Sequence, residues 1–137
     1  MHKNFHHQVK VYYEDTDAGG VVYYANYLKF IERARTEALS KIGLNNTQIK
    51  NKFGALIIVK SCNIEYKKSA HLEDELNIVS HILSLKKTSL IMKQLIMNKK
   101  ELITDAEIHL VFVNSEGKPE KIPDEIIENF MPYVKMK

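Results

Sequence analysis

The chain has a single cysteine, Cys62, among its 137 residues. That excludes an intrachain disulfide and a multi-cysteine zinc site, and it fits a reducing compartment. No apolar run approaches the roughly 20 residues that a membrane-spanning helix needs. The opening MHKNFHHQVKVYYED also lacks the apolar centre of a secretory signal, so a cytoplasmic protein without a membrane span is expected. Proline and glycine are scarce, at three and five residues, which excludes collagen-like and low-complexity chains. Charge of one sign is not in excess either: 20 Lys and Arg stand against 17 Asp and Glu, a net +3. So small and dispersed an excess does not predict a nucleic-acid partner. What is present is an ordinary globular composition, 45% hydrophobic and 27% charged, in a length that buries roughly two-thirds of its unfolded surface. With no composition break and no repeat, one domain over 1–137 is expected.

Hydrophobic periodicity supplies the elements. His6–Tyr13 alternates, with Val9, Val11 and Tyr13 on one side, and predicts a half-buried strand. The following Glu14–Gly20 (EDTDAGG) has no period and reads as a loop. From Tyr23 to Ile42 the period becomes helical. Tyr24, Tyr27, Leu28, Ile31, Ala34, Ala38, Leu39 and Ile42 form one broad stripe, Arg33 and Glu37 form an opposite-charge pair at i,i+4, and Gly43 is a natural terminator. The rest reads as strands. Ala55–Tyr66 puts Leu56, Ile58, Cys62, Ile64 and Tyr66 on one face, with Lys60 an exception, and Cys62 reads as a small core residue. Leu76–Leu85, Ser89–Asn98 and Leu102–Asn114 follow, linked by turns at Lys86–Thr88 and Asn98–Glu101, with a further turn at Asn114–Pro119. Pro123 opens a short helix through Phe130. One long helix followed by four consecutive strands predicts an α+β domain, its antiparallel sheet wrapped around the helix.

The loop before the helix is where chemistry could sit. It crowds Glu14, Asp15 and Asp17 into four positions, and Gly19 and Gly20 then let backbone approach a bound group closely. The helix start near Val22, Tyr23 and Tyr24 offers unpaired backbone N–H groups and the positive end of the helix dipole. A carboxylate facing such an opening suits acyl-group hydrolysis, the carboxylate as base or nucleophile and the amides as oxyanion donors. The same residues also suit a simple helix-capping loop, because Asp and Thr are common caps.

The stretch VYYEDTDAGGVVYYANYLKFIERARTEAL, Val11 to Leu39, resembles the signature of the hotdog-fold acyl-CoA thioesterases. It is most similar to the YbgC-type branch related to 4-hydroxybenzoyl-CoA thioesterase. The resemblance implies the hotdog fold, hydrolysis of acyl-CoA thioesters without a cofactor, and a pocket formed between the subunits of a homodimer or homotetramer. It places the catalytic carboxylate at Asp17 and the carbonyl-polarising N–H at Tyr24, with Asn26 and Tyr27 shaping the pocket. Many YbgC-type members carry His where this chain has Tyr24, and the hydroxybenzoyl branch can carry Tyr there. For the CoA phosphates, the turn residues Lys86, Lys87, Thr88 and Ser89 are the leading candidates, with Lys60 and Lys67–Lys68 behind them.

Other candidates carry less. His6 and His7 read as an exposed pair, and His71, His81 and His109 lack the spacing of a metal-ligand set, so no metal is expected. Glu37 ranks below Asp17 because its pairing with Arg33 already accounts for it. Met92 and Met97 suit either core or acyl-pocket lining. The rival to an enzyme is a non-catalytic module of the same fold that binds acyl-CoA or acyl carrier protein, or docks on envelope-associated proteins. Asp17 in a glycine-rich loop favours the enzyme.

Overall fold

The computed structural model describes residues 2–43 and 45–135. Strand β1 (Phe5–Lys10) leads through a 3-10 turn (Tyr13–Asp15) to helix α1 (Tyr24–Lys41) and helix α2 (Asn46–Phe53). Strands β2 (Leu56–Tyr66), β3 (Glu75–Leu85), β4 (Ser89–Asn98) and β5 (Glu101–Val113) follow, and helix α3 (Asp124–Phe130) comes last. The strands form one antiparallel sheet in the order β1-β3-β4-β5-β2. The inward positions Leu76, Ile78 and Ile82 of β3, Leu90, Met92 and Ile96 of β4, and Ala106, Ile108, Leu110 and Phe112 of β5 are buried with the α1 residues Tyr27, Phe30, Ile31 and Ala34. This is the expected α+β arrangement, with α1 against one face of an antiparallel sheet. No helix of the described residues is long and apolar enough to cross a membrane.

The structure departs from sequence expectation on β1, on α1, at α2 and on β2. β1 stops at Lys10 rather than Tyr13. Beyond it, the Asp15 carboxylate accepts the Tyr12 N–H at 2.9 Å and the Thr16 hydroxyl donates to the Tyr13 carbonyl at 2.7 Å. Such side-chain bonds coil the backbone into a turn, and Tyr13 is left exposed. On α1 the buried stripe includes Phe30 but excludes Tyr24 and Leu28, both exposed. Arg33 and Glu37 form no ion pair among the described residues.

Helix α2 was not expected, although its capping box is plain: the Asn45 side chain accepts the Gln48 N–H at 2.9 Å and the Gln48 side chain accepts the Asn45 N–H at 2.8 Å. Gly54 ends it in the left-handed region, φ 65°. On β2 a bulge between Val59 and Ser61 reverses the facing of the strand. Lys60, the exception to the predicted alternation, sits at that bulge. Ile57, Val59, Cys62, Ile64 and Tyr66 therefore pair with the inward residues Phe112, Leu110, Ile108, Ala106 and Thr104. β2 is also the sheet edge, and Cys62 is exposed there rather than a core residue.

Candidate functional site

Asp15 organises the acidic loop. Its carboxylate is taken up by the Tyr12 amide. Its carbonyl accepts two donors from the start of α1, the Tyr23 N–H at 3.0 Å and Asn26 Nδ2 at 2.9 Å. A bridge between Thr16 and Val22 and the bond from Asp17 N–H to the Val21 carbonyl, 2.9 Å, close the rest of the loop. The loop is tied to the sheet as well: Val22 N–H donates to Ala70 O at 2.9 Å, Val21 bridges His71, and Val11 N–H donates to Asp74 O at 2.9 Å. The segment thus sits where α1 begins and β3 begins, held by backbone on both sides.

Within that frame Asp17 is exposed, whereas Asp15 is half-buried. Its Oδ1 accepts the Gly19 N–H at 2.8 Å, while Oδ2 accepts no hydrogen bond among the described residues. A Cβ on residue 19 would lie 3.3 Å from Oδ1, so the glycine leaves room for the carboxylate. Gly20, at φ 80° with open space around it, completes the turn. Glu14 and Asp17 are exposed, and α1 begins without a side-chain cap from Tyr23. Its first amides, including that of Tyr24, therefore remain available to an incoming acceptor.

Four tyrosines gather over this opening. Tyr24 stands edge-on to Tyr66 with ring centroids 6.2 Å apart, Tyr23 and Tyr24 are 4.9 Å apart, and Tyr27 is 5.7 Å from Tyr66. The Tyr24 hydroxyl contact raises the Tyr23 phenol above its ordinary range. Tyr27 differs from its neighbours: it is buried, its hydroxyl accepts the Ala70 N–H at 2.9 Å, and burial pushes its phenol up. Tyr66 was placed on the apolar face of its strand but not in the site, because its contact with Tyr24 joins elements remote in sequence.

The predicted phosphate-binding residues lie elsewhere in the subunit. Lys86 and Lys87 are exposed and Thr88 and Ser89 half-buried at the β3–β4 hairpin, closed by Lys86 N–H to Ser89 O at 2.8 Å. The acidic loop is at the other end of β3, about 33 Å away along a strand of 11 residues. One subunit does not bring the two together. Lys60 is exposed on β2. Lys67 and Lys68 are engaged by Glu65 and Glu101 respectively, the latter carboxyl held below its usual range by Lys68. Among the described residues no group of three or more His, Cys, Asp or Glu is placed to hold a metal. His6 is exposed and His7 half-buried. Met92 is buried in the core, whereas Met97 is half-buried.

Comparison with known proteins identifies the family and the fold. The family model of the thioesterase-like superfamily matches residues 11–130. The chain is 41% identical over 128 residues to the acyl-CoA thioester hydrolase YbgC of Escherichia coli O6:H1, covering 92% of this chain and 95% of that protein. It is 34% identical over 127 residues to the acyl-CoA thioesterase YbgC of Haemophilus influenzae, covering 92% and 93%. The crystal structure of a probable thioesterase from Bartonella henselae superposes with a TM-score of 0.84 at 32% identity, covering 88% of this chain and 100% of that one. The chain belongs to the thioesterase-like superfamily, and its antiparallel sheet packed on one long helix is the hotdog fold.

Proposed function

We propose that this protein is a cytoplasmic acyl-CoA thioesterase that hydrolyses R–CO–S–CoA to the free acid and CoA, with Asp17 as its catalytic carboxylate and no cofactor. The observation that carries the reading is the acidic loop itself. It is fastened to the uncapped start of α1 through Asp15, Tyr23 and Asn26, and it offers Asp17 with one oxygen anchored on Gly19 N–H and the other free. The 41% identity to an acyl-CoA thioester hydrolase over nearly the whole chain supports the substrate class.

In this reading the thioester carbonyl takes the place of the missing cap at Tyr24. Amide N–H groups there donate hydrogen bonds to the negative charge that grows on the carbonyl oxygen, a role backbone donors fill without reorganisation. Asp17 acts at the carbonyl carbon in one of two ways. It attacks directly, giving a mixed anhydride that water then cleaves, or it removes a proton from a water that attacks. On either route the C–S bond breaks, the thiolate of CoA leaves and is protonated, and water supplies the acid's new oxygen.

A homo-oligomer completes the site. The lysine turn lies at the far end of β3 from the loop in the same subunit, so only a second copy could bring Lys86 and Lys87 to CoA phosphates above Asp17. The edge strand β2 offers the pairing surface: Leu56, Ile58, Val59 and Tyr66 are exposed along it, and an open apolar edge favours pairing with another chain. The test is thiol release by the purified wild-type protein over straight-chain acyl-CoAs and an aromatic acyl-CoA. Turnover well above the spontaneous rate is expected for at least one of them. Acyl-CoA binding without thiol release would instead assign the non-catalytic module.

A further inference from the structure

Residues 70–74, which join β2 to β3, run alongside the acidic loop and extend its short ladder by one more backbone segment. Thr16 bridges Val22 and Val21 bridges His71, both antiparallel. Asp17 N–H donates to Val21 O and Val22 N–H to Ala70 O, each at 2.9 Å. Successive residues of extended backbone point to opposite sides, so this pairing sorts the side chains into two rows. Thr16, Val22 and Ala70 form one, in which Val22 and Ala70 are buried and Thr16 is half-buried. Asp17, Val21 and His71 form the other, in which Asp17 and His71 are exposed and Val21 is half-buried. Two strand spacings separate the ends of this outer row, so the backbones of Asp17 and His71 lie about 10 Å apart.

His71 is held by more than that bridge. The Asp74 carboxylate accepts the His71 N–H at 2.8 Å, and His71 O accepts the Asp74 N–H at 3.1 Å. The same Asp74 oxygen accepts Asn98 Nδ2 at 3.2 Å, which fixes the carboxylate against the β4–β5 hairpin. His71 Nδ1 lies 3.9 Å from that oxygen, within ion-pair reach, and catalytic hydrogen bonds are often long until substrate is bound. A carboxylate that draws one imidazole nitrogen toward itself leaves Nε2 for a reacting group. Asp17, a gap of about 10 Å between backbones, His71 and then Asp74 give a nucleophile, room for an acyl group and a water, a base and its orienting carboxylate. Two-step acyl transfer uses that set of parts.

We propose that His71 is a second catalytic residue, the general base of the deacylation step, an inference that rests on Asp17 being the nucleophile of the proposed hydrolysis. In the first step an Asp17 oxygen bonds to the acyl carbon and the C–S bond breaks, giving an acyl–Asp17 anhydride and the thiolate of CoA. In the second, a water oxygen bonds to the acyl carbon while His71 Nε2 takes one of the water's protons. The C–O bond to Asp17 then breaks, the acid leaves, the Asp17 carboxylate is restored, and the proton on His71 passes to the thiolate.

The experiment follows thiol release from octanoyl-CoA and benzoyl-CoA, by rapid mixing and at steady state, in wild type, His71→Gln, His71→Ala and Asp17→Asn. Intact-protein mass is measured on samples quenched in acid during turnover, and melting curves check that each variant is folded. Both His71 variants are expected to release about one thiol per chain at a rate within a few-fold of the wild-type single-turnover rate. They should then turn over at least about 100-fold more slowly than wild type, with the quenched protein heavier by one acyl group. Asp17→Asn should show neither the burst nor the adduct. A His71 that only supports the fold or binds CoA would lower Tm or raise KM and produce no burst. Wild-type kcat in both His71 variants, or slow turnover without burst and adduct, would overturn the proposal and leave Asp17 its role wherever Asp17→Asn is inactive. Undiminished turnover by Asp17→Asn, or none by wild type on either substrate, would instead remove the reading of Asp17 and this proposal with it.

Discussion

Asn26 Nδ2 donates to the Asp15 carbonyl oxygen at 2.9 Å, across 11 residues of sequence, so a side chain from the first turn of α1 holds the acidic loop in place. Asn26→Ala removes one neutral hydrogen bond, at a cost of about 1 kcal/mol, or roughly 3 °C in Tm. The larger effect falls on turnover, because a loop displaced by even an ångström loses alignment with the amides. A kcat lowered about tenfold or more, with a smaller change in KM, is expected in a thiol-release assay. Unchanged kcat beside a lowered Tm would confine Asn26 to the fold.

Tyr27 has the opposite profile. Its phenol, kept neutral by burial that raises its pKa, accepts the buried Ala70 N–H. Tyr27→Phe strands that donor and should cost about 1–3 kcal/mol in urea or thermal unfolding, with kcat within a few-fold of wild type. A large loss of kcat at unchanged stability would move Tyr27 from the frame into the reaction.

His81 is expected to make the fold acid-sensitive. Its ring lies tilted against that of His2 with centroids 4.4 Å apart, and its buried Nε2 has no partner among the described residues. Burial first, then the neighbouring His2, Lys135 and Lys93, lower its pKa from 6.5. The unfolded chain therefore takes up a proton before the folded one does, and stability falls as pH drops below about 6.5 toward the folded value. Above that, both states are neutral and His81 contributes no pH dependence. Between pH 7.5 and 5.5 the loss of Tm should be smaller in His81→Gln than in wild type. Equal losses would assign the acid sensitivity to other groups.

Lys86 and Lys87 should act on binding alone. Replacing both with Ala removes two exposed charges from the β3–β4 turn, so kcat stays near wild type while KM for acyl-CoA rises several-fold and its salt dependence weakens. The same KM in wild type and the double variant would place the CoA phosphates elsewhere.

The features legible in the sequence were those set by short-range periodicity and chemistry. The span of α1, the exact limits of β4, the hairpins at Lys86 and Lys99, and the short helix after Pro123 all follow from local signals. The facing of β2 does not. Its alternation is broken by the bulge at Lys60, which inverts Leu56 and Ile58 relative to Cys62 and Tyr66, and a one-residue shift flips every side chain beyond it. The place of Tyr66 over the site escaped notice because it arises from a pairing remote in sequence, with Tyr24. Helix α2 is different: the Asn45–Gln48 capping box and Gly54 were there to be read, but the apolar spacing between them is too short to announce a helix.

The most direct measurement is single-turnover thiol release by Asp17→Asn at saturating acyl-CoA, with acyl-CoA affinity determined separately. Asparagine keeps the shape and can still accept the Gly19 N–H, but it supplies neither a nucleophilic oxygen anion nor a base. The account predicts a rate at least about 100-fold below wild type, with affinity changed by no more than a few-fold. A rate within about twofold of wild type would contradict it.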